Sequence, residues 1–205
     1  MENKDYLELI IIRHAETNYK DSGDRDGCDG DLTKLGEKQA VELGQRLKDT
    51  EIDAYITSPL LRAFKTAAGV CNAKPDKPLL QIMPEITECG VPVGYYGCSE
   101  EYLKKCYPNT AMCEPLFDNE NHIFGTKYYD DNSLRARKVI DYIKEAYSYG
   151  DRVVLFTHQG ICAYLIRQAL NIEKQTFDLF IDNTAMTKIL FYRDGRILLQ
   201  SLNVK

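Results

Sequence analysis

Tryptophan is absent, and histidine nearly so, with three in 205 residues. No stretch approaches the roughly 20 apolar residues that a membrane helix needs, which excludes a membrane-spanning helix and argues against a membrane partner. Positive charge is also short. Lys and Arg total 26 against 31 Asp and Glu, for a formal net charge of −5 and a pI near 5.3. A nucleic-acid partner would need a basic face to displace phosphate counterions, so none is expected. A small phosphate ligand needs only a local positive pocket and stays open. The start, MENKDYLELIIIRH, is too short and too acidic for a signal peptide, and no small-residue cleavage site follows it. The seven cysteines include no C-x-x-C pair, which disfavours both a disulfide framework and a zinc site. The expectation is a cytoplasmic protein with reduced thiols, no metal and no cofactor. The sequence also has no G-x-S-x-G elbow and no Walker loop.

What is present is an alternation. Four apolar segments rich in β-branched or aromatic residues read as buried strands: 7–13, 53–58, 79–83 and 152–158. Helical patterns separate them. Segment 32–49 spaces Leu35, Ala40, Val41, Leu43 and Leu47 along a helix, with Thr33 placed to cap it and Glu37 close by. Segment 60–71 is Ala-rich, with Ser58 as its expected cap and Pro59 at its first position. Segment 132–147 puts Leu134, Val139, Ile140 and Ile143 on one face, and 160–170 is apolar nearly all round. Strands alternating with helices predict an α/β fold: three layers, α/β/α, around a mostly parallel sheet. Segments 186–192 and 196–202, joined by Arg-Asp-Gly, predict a C-terminal antiparallel hairpin.

Two stretches break the alternation. The Gly/Asp-rich segment 20–31 fails the calcium-loop template, because Cys28 and Leu35 stand where ligands belong. It reads as a surface loop. The segment from about 90 to 131 is rich in Tyr, Pro, Cys and Asn, with poor periodicity. It reads as an inserted lid segment over the active site of a single domain, 1–205.

Ligands of open parallel sheets bind beyond the carboxyl ends of the strands. Here each such end carries a polar group: Arg13-His14, then Thr57-Ser58-Pro59 with Arg62 one turn on, then Glu85 with Glu88 beyond, then Thr157-His158-Gln159. Any one of these alone reads as an ordinary surface or core residue. Two of three histidines ending strongly apolar strands, one behind an arginine, do not. A guanidinium at a buried strand end needs an anion, and its fork matches phosphate oxygens. Imidazole is a nucleophile that titrates near neutrality. Two arginines and a second histidine supply the positive charge that phosphoryl transfer requires. A carboxylic acid can protonate the leaving alcohol and then activate water.

These residues resemble the histidine phosphatase superfamily, which includes phosphoglycerate mutase-like phosphatases. The family's RH-G-E-T/S is similar to RHAET here. Its L-T-x-x-G-x-x-Q-A is similar to LTKLGEKQA, its S-P-L-x-R-A-x-x-T-A to SPLLRAFKTA, and its H-x-G strand end to LFTHQG. The matches keep the family's order and cover most of 7–90 and 150–200. The resemblance implies a hydrolase that forms a phosphohistidine. His14 would be the nucleophile, Arg13, Arg62 and His158 the phosphate pocket, and Glu85 the proton donor. Because the segment PEITECG carries one residue more than the usual spacing, Glu88 stays open as a rival. Thr17, Asn18, Lys20 and Gln159 are further candidates for phosphate binding. Two departures stand out: Ala15 replaces the family's Gly, and Lys20 stands where Asn is common.

Cys162 and Arg167 resemble a cysteine-phosphatase loop but are one residue too close, and His122 reads as a surface residue. The expected reaction is metal-independent hydrolysis of a small phosphate ester. The alternatives are a mutase, which returns the phosphate to its substrate, and a catalytically silent module that binds a phosphoester or a partner. Mutases of the family tend to carry tail segments over the site. The sequence ends at Lys205, a few residues past the hairpin, so hydrolysis is favoured. Oligomeric state is not legible.

Overall fold

A computed structural model describes residues 5–18, 30–90, 98–114, 116–117, 131–172 and 178–205. Lys20, Cys28, His122 and most of the 90–131 tyrosines lie outside them. The central strand, β1 (Tyr6–Arg13), is buried along nearly its whole length. Leu7, Leu9 and Ile11 enter one core cluster, and Ile10 and Ile12 enter the other. A continuous apolar run is what a strand covered on both faces requires.

The remaining elements follow the expected alternation: α1 (Lys34–Leu47), β2 (Ala54–Thr57), α2 (Leu61–Ala73), β3 (Leu80–Ile82), α3 (Glu100–Cys106), β4 (Thr110–Met112), α4 (Asn132–Ala146), β5 (Arg152–Thr157), α5 (Gln159–Ala169), β6 (Met186–Tyr192) and β7 (Ile197–Val204). They build a seven-stranded sheet in the order β4-β3-β2-β5-β1-β6-β7. The first five strands in that order are parallel. β6 and β7 add the antiparallel hairpin. Residues of α4 and α5 fill the cluster on one face, and those of α1, α2 and α3 fill the other. This is the three-layer α/β arrangement.

Two sequence expectations change. Helix α2 begins at Leu61 with Leu60 as its N-cap, not at Pro59 with Ser58 as its cap. Ser58 still accepts the Leu60 N–H at 3.2 Å, but its hydroxyl is directed elsewhere, as described below. The described part of the 90–131 segment is also not irregular. Its Glu100–Cys106 forms α3, and its Thr110–Met112 forms β4, which pairs with β3 and extends the sheet edge. A three-residue strand and a helix burying only Leu103 leave too little periodicity to read.

Among the described residues, no helix is long and apolar enough to cross a membrane, and the cysteines Cys71, Cys89, Cys98, Cys106, Cys113 and Cys162 are free thiols.

Candidate active site

β1 and β5 run parallel, with Arg13 beside Thr157, so the residues following them, His14 and His158, emerge together. Their ring centroids lie 5.1 Å apart, tilted by 55°. Both side chains are buried, as are those of Arg62 and Glu85.

His14 is held by its backbone. Its carbonyl accepts from Asn183 Nδ2 at 2.8 Å, and the next amide, Ala15 N–H, donates to Thr66 Oγ1 at 2.9 Å. The His14 ring donates through Nδ1 to the Ala15 carbonyl at 2.7 Å. A carbonyl can only accept, so the proton sits on Nδ1 and Nε2 carries the lone pair. No described residue hydrogen-bonds Nε2. Burial, then the Arg62 and Arg13 charges, push the His14 pKa down from 6.5 to about 3. The imidazole is therefore neutral and nucleophilic.

His158 is fixed the other way round. Its Nε2 meets Ser58 Oγ at 2.7 Å. Ser58 Oγ, which also accepts from Leu60 N, carries one proton and two lone pairs, so it can serve either tautomer of the ring. The other ring nitrogen, Nδ1, has no described partner and is left to meet a ligand. Burial, then Arg62 and His14, hold the His158 pKa well below 6.5. The Arg62 and Arg13 charges act on both rings, a field suited to an anion.

The sequence motifs now have physical meanings. Glu16, in RHAET, is gripped by the α1 segment. Its N–H donates to Gln39 Oε1 at 2.8 Å, and its carboxylate accepts from Thr33 Oγ1 at 2.8 Å. Its carbonyl lies so near Gly36 that an added Cβ would stand 2.0 Å away. Thr33 also caps α1 through Gly36 N at 3.0 Å, as expected. LTKLGEKQA is thus the clamp on the loop that follows His14. Ala15 is fully buried and is not among the residues with positive φ, so alanine fits without backbone strain.

Arg13 donates to the Ile181 carbonyl at 2.7 Å and lies 5.6 Å from the centroid of the exposed Phe180 ring. Glu85 occupies a 3-10 turn, Pro84–Ile86, just beyond β3, and accepts from Leu116 N at 2.9 Å. Glu88 accepts instead from backbone amides at the start of α5.

Gln159, a candidate phosphate ligand, braces the 179–181 segment. Its Nε2 donates to the Leu179 carbonyl at 2.6 Å and its Oε1 accepts from Ile181 N at 2.9 Å. Thr17 donates to the Asp31 carbonyl at 2.6 Å, and Asn18 lines a small cavity of about 240 Å³ with Asp31 to Lys34. Lys20 lies outside the described residues. Sequence reasoning missed Asn183 and Thr66 and misassigned Ser58. Their roles depend on contacts between distant segments, which no local pattern signals. Among the described residues, no group of three or more His, Cys, Asp or Glu side chains is arranged to hold a metal ion.

The fold and this histidine pair define an α/β protein with two buried imidazoles at the carboxyl ends of its parallel strands. The model of the histidine phosphatase superfamily (branch 1) matches residues 9–204, and the chain belongs to that family. Phosphoglycerate mutase-like protein 4 of Arabidopsis thaliana is 37% identical over 176 residues, which cover 82% of this chain and 73% of that protein. Phosphoserine phosphatase 1 of Hydrogenobacter thermophilus is 39% identical over 69 residues, only 33% of each chain. Among solved structures, a mutant phosphoserine phosphatase from Entamoeba histolytica in complex with phosphoserine superposes with a TM-score of 0.61. It is 25% identical, with 96% of each chain covered.

Proposed function

We propose that this chain is a phosphatase, hydrolysing a small phosphate monoester through a phosphohistidine at His14. The observation that carries this reading is the pair of buried imidazoles, 5.1 Å apart. His14 offers a lone pair and His158 a ring nitrogen with no described partner, both in the field of Arg62 and Arg13. His14 Nε2 attacks phosphorus, and the P–O bond to the alcohol breaks. The ring gains positive charge, which strengthens its Nδ1–H bond to the Ala15 carbonyl. Arg13, Arg62 and His158 hold the equatorial oxygens. Glu85 protonates the departing alkoxide, then takes a proton from the water that attacks the phosphohistidine. Inorganic phosphate and neutral His14 result.

Positive charge from the two guanidinium groups supports a metal-independent reaction. Free thiols fit a cytoplasmic setting. The ligand of the Entamoeba relative suggests starting with small carboxylated esters such as phosphoserine. Phosphate release from a panel of esters tests the reading, with EDTA present throughout. Turnover that survives EDTA and is lost in His14→Ala supports it. Turnover that needs added metal, or persists in His14→Ala, contradicts it. Isomerisation of 3-phosphoglycerate without phosphate release would point to a mutase instead.

A further inference from the structure

The carboxylate of Glu88 lies across the start of α5. Its Oε1 accepts from Ile161 N at 3.2 Å and Cys89 N at 2.8 Å, and its Oε2 from Gly160 N at 3.2 Å. The first amides of a helix have no acceptor within the helix. The N-cap of α5 is His158, which provides no side-chain cap, because its ring is turned to Ser58. A carboxylate from the connection after β3 supplies what the local residue cannot. Its negative charge also suits the positive end of the helix.

The approach is close. A Cβ added at Gly160 would stand 2.6 Å from Glu88 Oε1 and 3.2 Å from Cys89 Cβ and Sγ. Two further ties hold the same segment. Thr157 Oγ1 donates to the Ile86 carbonyl at 2.5 Å. The buried Arg135 of α4 donates to the Thr87 carbonyl at 2.8 Å. Residues 84–89, which carry Glu85, are thereby fastened to residues 157–161, which carry His158.

We infer that Glu88 is a positioning residue, not the proton donor: it caps α5 from outside the helix and so fixes Glu85 relative to His158. The inference deepens the phosphatase reading and rests on it for the role of Glu85. Both Glu88 oxygens already face peptide N–H groups. Glu88→Gln would turn an amide N–H₂ toward one of those donors. Gly160→Ala would leave every donor and acceptor in place but push the Glu88 loop off the helix, although alanine favours helix more than glycine does.

The test compares Glu85→Gln, Glu88→Gln and Gly160→Ala on glycerol phosphate and on p-nitrophenyl phosphate, whose leaving group needs little acid catalysis. Thermal melts and titration with inorganic phosphate accompany the kinetics. Displacing positioned groups lowers rates by roughly ten- to a hundredfold. Glu88→Gln and Gly160→Ala should show such a loss by the same factor on both esters, keep the basic limb of the pH profile, and bind inorganic phosphate more weakly. Glu85→Gln should lose far more on glycerol phosphate and lose that limb. Three outcomes overturn the inference. One is a Glu88→Gln loss confined to the alkyl ester with the limb gone, which makes Glu88 the donor. Another is unchanged kinetics and phosphate binding in both Glu88→Gln and Gly160→Ala. The third is lowered melting temperatures with unchanged turnover per folded molecule. If the unmutated chain shows no His14-dependent turnover, the phosphatase reading fails, and weaker phosphate binding by Glu88→Gln and Gly160→Ala still decides the capping role.

Discussion

The same two strands treat charge in opposite ways at their two ends. At the amino end, Glu8 of β1 sits beside Arg152 of β5 in register, and the two close an ion pair at 2.7 Å. Arg152 also donates to the Glu51 carbonyl, and its backbone amide donates to Asp53. At the carboxyl end, Arg13 sits beside Thr157. The next residues are two neutral imidazoles whose pKa values are depressed by burial first and then by guanidinium charge. One end satisfies its charge internally and holds the sheet together. The other keeps a positive field that an incoming anion can satisfy.

Mutations should separate the two ends. His14→Ala removes the nucleophile and should lower kcat by roughly 10⁴-fold or more, with the melting temperature scarcely reduced; steady-state kinetics and calorimetry check both. His158→Ala should weaken inorganic phosphate binding and lower kcat/KM by about 10²–10³-fold, the range for losing one preorganised donor. Arg152→Met inverts the pattern. Breaking a buried pair and stranding Glu8 costs about 3 kcal/mol or more, while kcat/KM per folded molecule stays unchanged. A large activity loss in Arg152→Met without destabilisation would dissolve the distinction between the ends.

Acid sharpens the comparison further. The folded pKa of His14 is about 3 against an ordinary 6.5, so below pH 6.5 the unfolded chain takes up a proton that the folded chain refuses. The stability contributed by His14 is complete above pH 6.5 and falls as pH drops toward 3, by up to about 1.4 kcal/mol per unit. His158 acts in the same direction. Inorganic phosphate should offset the loss, because its charge opposes the two arginines. Melts at pH 7 and 5, with and without phosphate, read this out. Equal stability at both pH values would contradict the depressed pKa values. The smallest effect expected is that of Ser58→Ala. It frees the His158 ring and removes the Leu60 amide partner, for a loss of about 1 kcal/mol in stability and a weaker grip on phosphate.

Legibility in the sequence followed the same divide. Strands covered on both faces, such as 7–13 and 152–158, announce themselves as unbroken apolar runs, and the polar residues that end them mark the site. His14 and His158 could be expected side by side because parallel strands put their carboxyl ends together. What could not be read depends on three-dimensional approach. Ser58 before a proline looks like a helix cap until His158 is seen beside it. Gln159 at a strand end gives no sign that its amide binds the 179–181 backbone. Glu85 and Glu88, three residues apart, differ only in which way the turn after β3 points them. At the sheet edge, β4 is too short and α3 too polar for either period to emerge.

The most direct test is to stop turnover in mid-reaction. The chain is mixed with a ³²P-labelled ester, quenched in alkali within milliseconds, and digested for peptide mapping. Label that is stable to alkali, labile to acid, and confined to the peptide bearing His14 is the predicted result. Steady release of labelled phosphate with no label on His14 at any quench time, or label on another residue, would contradict a phosphohistidine at this position.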